Sequence, residues 1–203
     1  MLETRTDTAA EDFTGRAGLG YAFDSGFFPY VSYSESFSPL TGTDITGAQF
    51  KPETARQYEV GVKYQAPGSD SYVTLAAFDL RRQNVLTANP VNTSFSVQEG
   101  EVTSRGIELE GVLRPARGLN LIASYTYNDV EVSKDNPNLA GISNKGKAPA
   151  RVPRHLLSVW ADYTLSTGML DGLTFGGGVR YTGTSYGDCL LYTSPSPRDQ
   201  RGS

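Results

Sequence analysis

The sequence predicts an all-β protein: an antiparallel transmembrane β-barrel, of which this chain supplies about eight strands. Three observations lead to this fold class. Apolar and polar residues alternate with period two in eight segments, a pattern typical of strands with two different faces. Nearly all segments exceed the roughly 5–6 residues of soluble strands and reach the roughly 9–11 residues that cross a bilayer. Aromatic residues near the segment ends resemble the interfacial girdles of membrane barrels; these are Phe28, Tyr30, Tyr64, Tyr72, Tyr125, Tyr127 and Tyr181.

The composition agrees with this class and argues against others. Only 38% of the 203 residues are hydrophobic, and the sequence has no run of roughly 18 apolar residues that could form a membrane helix. A barrel strand has one lipid face and one lumen face, so its mean hydropathy resembles that of a soluble protein. The net charge of -4, without a long basic run, predicts no nucleic-acid partner.

Turn residues separate the eight predicted strands. Clusters of Gly, Pro, Asp and Ser at 24–26, 66–70, 114–118 and 166–172 predict four tight turns. Longer connections are predicted at 38–52, about 85–94 and 133–153. The predicted strands span residues 15–23, 28–37, 53–65, 71–84, 95–113, 119–132, 154–165 and 173–186.

Each strand has its own apolar face. In strands one to three the alternating apolar residues include Leu19, Val31, Tyr33, Tyr58, Val60 and Val62. In strand four we expect the apolar face to carry Tyr72, Ala76, Phe78 and Leu80. In strands five to eight the alternating apolar residues include Ile107, Leu109, Leu121, Tyr125, Leu157, Val159, Phe175 and Val179, and Ile122 is an exception. Such strands can cross a membrane only in a closed barrel, because lipid cannot satisfy an open sheet edge.

The order of short and long connections predicts a fragment of a larger barrel. In outer-membrane barrels the short turns are periplasmic and the long loops are extracellular. Short connections follow strands one, three, five and seven, so strand one would start outside and strand eight would end outside. A complete bacterial barrel has both ends in the periplasm. The first residues are polar and do not resemble a signal peptide, so we expect either a missing N-terminus or a cytoplasmic chain.

The C-terminal residues form a separate segment. Residues 189–199, which begin with Cys189, match the translation of a transposon sequencing adapter. The alternative is a disordered tail rich in Pro and Ser. We therefore predict two parts, a partial barrel over residues 1–188 and a non-native, disordered tail over residues 189–203.

Several segments resemble the TonB-dependent siderophore receptors, above all those of the ferrichrome and hydroxamate type. These segments are residues 29–37, 51–53, 57–64, 100–101, 104–111 and 183–188. They agree with the family in order and spacing across residues 13–188. The resemblance implies a 22-stranded barrel in the bacterial outer membrane, plugged by an N-terminal domain. It places the plug, the TonB box and the early strands of the barrel before Met1, and three further strands after Asp188.

The resemblance also implies a function. Such a receptor binds a ferric siderophore in its extracellular mouth and uses energy from the TonB complex to disturb the plug and release the ligand. The implied partners are outer-membrane lipid, the TonB complex and the ferric siderophore, and the receptor is a monomer. No cofactor is implied, because the iron arrives chelated by an organic ligand. The alternatives are a passive porin or structural barrel and, third, a soluble all-β binding module; no motif predicts an enzyme.

Two glutamates are the main candidate functional residues. By resemblance, Glu59 and Glu108 contact arginines of the plug from the lumen face of the barrel. The alternative is that both are solvated lumen carboxylates. A glycosidase pair of Glu108 and Glu110, two residues apart on one face, is a further interpretation that nothing else supports.

Other polar residues are weaker candidates. Trp160 and Arg180 are assigned to the lumen or ligand side, although Trp160 could equally belong to a girdle or contact the plug. Asp162 is expected to pair with Arg180 across neighbouring strands. A basic stretch would attract an anionic ligand or lipopolysaccharide phosphate, or would simply be a solvated loop; it comprises Lys145, Lys147, Arg151, Arg154 and His155. Because His155 is the only histidine in the sequence, we predict no metal site.

Overall fold

A single antiparallel sheet of eight strands in sequence order forms the described part of the chain, which confirms the predicted fold class. The computed structural model describes residues 13–88, 94–135, 137, 141 and 143–185, so the predicted tail lies outside the described residues. The strands are β1 Arg16–Gly20, β2 Phe27–Ser38, β3 Glu53–Tyr64, β4 Tyr72–Ala88, β5 Ser96–Ala116, β6 Leu119–Lys134, β7 His155–Thr164 and β8 Thr174–Thr182. Within these residues, no helix is long or apolar enough to cross a membrane.

The β4–β5 hairpin is taller than predicted. The loop expected at about 85–94 begins only after Ala88, because β4 continues through a break in register beside Asn84. Asn84 has a φ of 59°, a left-handed conformation that Asn adopts more readily than most residues and that suits a bulge. Its side-chain amide donates a hydrogen bond to the carbonyl of Pro52 at 2.9 Å. The bulge therefore also holds the end of the loop that precedes β3.

Strand register assigns each side chain to one of two faces, because directly opposite residues of an antiparallel pair lie on the same side. Glu59 is opposite Ser32 in β2 and Phe78 in β4, and Phe78 is in turn opposite Gly106 in β5. We call this surface the Glu59 face. The other surface, the Val60 face, carries a continuous apolar row of Val31, Val60, Ala77, Ile107 and Tyr127.

The expected orientation of strand four is wrong. Phe78 is opposite Glu59, and Ala76 is opposite Glu108, so both lie on the Glu59 face among polar residues. Tyr72 and Leu80 have the same parity. Leu75 and Ala77 occupy the Val60 face instead. Both parities of β4 carry apolar residues, and only its pairing with β3 and β5 decides between them.

The residues expected to form an aromatic girdle divide between the two faces of the sheet. Tyr64, Tyr125, Tyr127 and Tyr181 lie on the Val60 face, as a girdle requires. Phe28, Tyr30 and Tyr72 lie on the Glu59 face, because they are opposite Lys63, Gly61 and Val112. Position near a strand end does not distinguish these two groups.

The sheet is a single layer with little interior of its own. Among the described residues, the buried ones are Ala76, Gly100, Ser104, Gly111 and Val132, and the side-chain-bearing Ala76, Ser104 and Val132 are 6–8% exposed. Leu19 and Val179 on the Val60 face are 75% and 70% exposed. Within the chain, order therefore depends on ladder hydrogen bonds and cross-strand pairs. In the described residues β1 and β8 each pair with one neighbour, so the sheet is open in this chain.

Aromatic rings on the Glu59 face lie across glycines of neighbouring strands. The pairs are Phe28 over Gly20, Tyr30 over Gly61, Phe78 over Gly106 and Trp160 over Gly178; a Cβ on these glycines would come within 2.5, 2.6, 2.7 and 2.8 Å of the rings. No side chain fits at such distances, so glycine is what allows the rings to lie flat against the sheet. Glycine in a strand often marks such a close approach.

Candidate functional site

Glu59 is held by two side chains on the Glu59 face. It lies in the middle of β3, opposite Ser32 and Phe78. The Tyr30 hydroxyl donates a hydrogen bond to Oε1 at 2.8 Å, and the Gln57 amide nitrogen donates one to Oε2 at 3.0 Å. The side chain is half-buried. Each carboxylate oxygen therefore has one donor, and its remaining lone pairs can accept from a further donor.

Glu108 shares this face but is much less constrained. It lies in β5 opposite Ala76 and Thr126 and is exposed. No described residue donates a hydrogen bond to its carboxylate. Since β4 separates it from Glu59 and the two residues differ by two positions in register, their backbones are about 12 Å apart on standard sheet spacings. The structure thus confirms that Glu59 and Glu108 share a face.

Trp160 and Arg180 also lie on the Glu59 face, but the expected ion pair of Asp162 with Arg180 is wrong. Arg180 is opposite Ser158, whereas Asp162 is opposite Gly176, four positions further along β8. Asp162 instead accepts hydrogen bonds from Trp160 Nε1 and from Asn120 Nδ2, each at 3.0 Å. Asp162 therefore orients Trp160 along the sheet.

The predicted basic stretch does not act as one cluster. Arg154 pairs with Asp129 at 3.3 Å. His155 begins β7 on the Val60 face, where its Nδ1 lies 2.9 Å from the Tyr125 hydroxyl. Lys147 belongs to a segment that folds back on β6, because its carbonyl accepts from the Val132 amide at 2.9 Å. In the described residues, no group of three or more His, Cys, Asp or Glu side chains is placed to hold a metal ion.

A row of charges on the Val60 face was not singled out from the sequence. Asp79 pairs with Arg105 at 2.7 Å and with Arg81 at 3.3 Å. Arg56 pairs with Glu35 at 3.4 Å. These arginine side chains are 57–64% exposed, and exposed pairs of this kind contribute only about 0–1 kcal/mol each. Their importance is positional, because they mark where the apolar part of this face ends.

Tyr30 and Gln57 were likewise missed as partners of Glu59. Gln57 and Glu59 share a face by simple alternation, so this contact could have been found from the sequence. Tyr30 lies on another strand, and only the register of β2 with β3 places it beside Glu59. The signal in the sequence was the pair of glycines, Gly20 and Gly61, that flank Tyr30 in the sheet.

Long antiparallel strands with one continuous apolar face and one polar face are the architecture of an outer-membrane β-barrel wall. The chain belongs to the TonB-dependent receptor family: residues 3–198 match the family described as TonB dependent receptor-like, β-barrel.

Individual relatives extend this result. The chain is 46% identical over 178 residues to the ferrichrome outer membrane transporter/phage receptor of Escherichia coli (strain K12), covering 88% of this chain and 23% of that protein. It is 35% identical over 198 residues to the ferrioxamine B receptor of Salmonella typhimurium (strain SL1344), covering 97% of this chain and 27% of that protein. The structure of the alcaligin outer membrane receptor FauA from Bordetella pertussis has a TM-score of 0.61 and 27% identity, over 85% of this chain and 29% of that one.

These comparisons confirm four predictions from the sequence. They are the resemblance to siderophore receptors, the barrel fold, the bacterial outer-membrane location and a role other than that of an enzyme. The chain spans about a quarter of the length of the curated relatives it matches.

Proposed function

We propose that the protein containing this chain is an outer-membrane receptor that imports a ferric siderophore with energy from TonB. The observation that carries the proposal is the family match over residues 3–198. Relatives named for ferrichrome and ferrioxamine support the siderophore as ligand. The same family membership favours a receptor over a passive porin. The chain contributes part of the barrel wall, with the Val60 face toward lipid and the Glu59 face toward the lumen.

The proposed partners follow from this role. They are the ferric siderophore, the TonB complex and outer-membrane lipid, and the receptor works as a monomer without a cofactor. The iron is cargo that arrives already chelated, so the barrel wall supplies no iron ligand. Trp160 and Arg180 on the Glu59 face are assigned to the lumen or ligand side.

Glu59 and Glu108 are the proposed contacts to plug arginines. Hydrogen bonds between a carboxylate and a guanidinium are roughly twice as strong as neutral ones. Removing both charges from water opposes that gain, so such a pair stabilises the closed state only modestly. A contact of this kind suits a latch, because it orients the plug and can still be released when the plug is pulled.

Iron uptake by the full-length receptor tests the transport function. The receptor would be expressed in a bacterial strain without siderophore receptors of its own, and uptake of radioactive iron would be measured with ferrichrome and with ferrioxamine B. We expect saturable uptake of at least one of them that disappears without TonB. Uptake that is unsaturable and independent of TonB would show a passive pore instead.

The plug contacts are tested by substituting the two glutamates separately. Hydrogen bonds to charged groups contribute about 1.5–3 kcal/mol, so Glu59→Ala and Glu108→Ala should each speed hydrogen exchange of plug amides roughly tenfold or more. Glu110→Ala is the matched control, because Glu110 is an exposed carboxylate on the same strand and face. Unchanged exchange and unchanged uptake in both variants would refute the plug contact.

A further inference from the structure

We infer that Tyr30 is a positioning residue, which together with Gln57 holds the Glu59 carboxylate in one orientation before the plug engages it. This inference rests on the proposed contact between Glu59 and the plug. The Tyr30 hydroxyl bonds one carboxylate oxygen at 2.8 Å, and the Gln57 amide bonds the other at 3.0 Å. One donor on each oxygen fixes both the position of the carboxylate and its rotation about the terminal bond.

Tyr30 reaches Glu59 because its ring leans across β3. Tyr30 is directly opposite Gly61, two residues beyond Glu59 on the same face. A Cβ on Gly61 would lie 2.6 Å from the Tyr30 hydroxyl oxygen. Phe28 stacks beside Tyr30, with ring centroids 6.4 Å apart, and its own ring lies over Gly20 on the other side. Any side chain at position 61 would lift the Tyr30 ring and carry its hydroxyl away from Glu59.

The two glutamates proposed to contact the plug therefore differ in how firmly their side chains are held before the plug binds. Glu59 has a donor on each oxygen, whereas Glu108 receives no hydrogen bond from the described residues. Ordering a flexible side chain at an interface opposes binding, and a side chain that is already ordered avoids this loss. The Glu59 side chain is thus already in position for a plug cation, and the Glu108 side chain adjusts its position to that cation.

Tyr30→Phe in the full-length receptor removes the hydroxyl and keeps the ring. We expect plug amides near the arginine that contacts Glu59 to exchange roughly 2- to 10-fold faster, the equivalent of one newly freed side chain. Tyr33→Phe is the matched control, because the Tyr33 hydroxyl donates to Glu35 at 2.6 Å on the opposite face of the sheet. It should leave plug exchange unchanged.

A glycine pair provides a second, independent test. Gly61→Ala should reproduce the effect of Tyr30→Phe, because the new methyl group displaces the ring. Gly18→Ala is its control on the same face, since a Cβ there would meet its nearest atom at an ordinary 3.6 Å.

A double-mutant cycle separates positioning from general support of the barrel. If Tyr30 acts through Glu59, the variant with both Tyr30→Phe and Glu59→Ala should release the plug no faster than Glu59→Ala alone. Additive effects, or equal effects of Tyr30→Phe and Tyr33→Phe, would overturn the positioning role and leave the plug contact intact. If Glu59→Ala itself changes nothing, both the contact of Glu59 with the plug and the positioning role of Tyr30 are refuted.

Discussion

The turn between β5 and β6 provides a quantitative test of the sheet geometry. Gly118 has a φ of 81°, and its carbonyl accepts a hydrogen bond from the Thr164 amide at 2.8 Å. A Cβ on Gly118 would lie 2.2 Å from the Thr164 carbonyl oxygen. Gly118→Ala therefore combines left-handed strain of about 1–2 kcal/mol with overpacking of about 1–3 kcal/mol. We expect a total loss of about 2–5 kcal/mol in the free energy of unfolding.

Gly68 separates these two contributions. It has a φ of 74° in the turn between β3 and β4, and no atom lies within 4 Å of the position that a Cβ would occupy. Gly68→Ala should therefore lose only the strain, about 1–2 kcal/mol. Urea unfolding of the full-length receptor in detergent micelles measures both losses as shifts of the unfolding midpoint. The variants and the parent protein must have the same m-value for this comparison. Equal losses for the two variants would show that Gly118 does not approach Thr164 as described.

Two further predictions concern the loop between β2 and β3. Gln98 bonds both the amide and the carbonyl of Lys51, so Gln98→Ala should speed hydrogen exchange of the Lys51 amide about 5-fold, the equivalent of one hydrogen bond; unchanged exchange would refute the contact. In the same loop, the Thr46 hydroxyl holds the pKa of Asp44 below its usual range, helped by the amides of Ala48 and Thr46. This stabilisation is present above the unfolded pKa of about 3.9 and is lost as the pH falls through the lower folded pKa. Protection of the Ala48 amide should therefore fall with acid, and Asp44→Asn should abolish that pH dependence.

Much of the fold could be predicted because local alternation and turn residues are strong signals in this chain. The faces of β3 and β6 follow from residues such as Val60 and Leu121, whose neighbours two positions away are also apolar. β4 failed because Leu75 and Phe78 are both apolar and lie on opposite faces. Its orientation is determined by hydrogen bonding to other strands, which local alternation does not contain.

The candidate site shows the same division. Glu59 and Glu108 were proposed as site residues from family resemblance, and their common face followed from alternation. The Tyr30 contact could not be found this way, because it depends on a pairing between β2 and β3 and on the absence of a side chain at Gly61. The expected Asp162–Arg180 pair failed for a related reason, since neighbouring strands were known but their register was not.

The height of the β4–β5 hairpin determines which part of the barrel an approaching macromolecule meets first. β5 has 21 residues, about 69 Å at roughly 3.3 Å per residue. A strand tilted by about 45° needs only about 35 Å of its length to cross an apolar band about 25 Å tall. In β5 the segment from Ala116 back to Arg105 supplies that length, and the charged row begins at Arg105. On the predicted orientation, the part from Ser96 to Ser104 stands clear of the lipid. Antibodies, proteases and other macromolecules that approach the cell would meet this hairpin before they reach the mouth of the barrel.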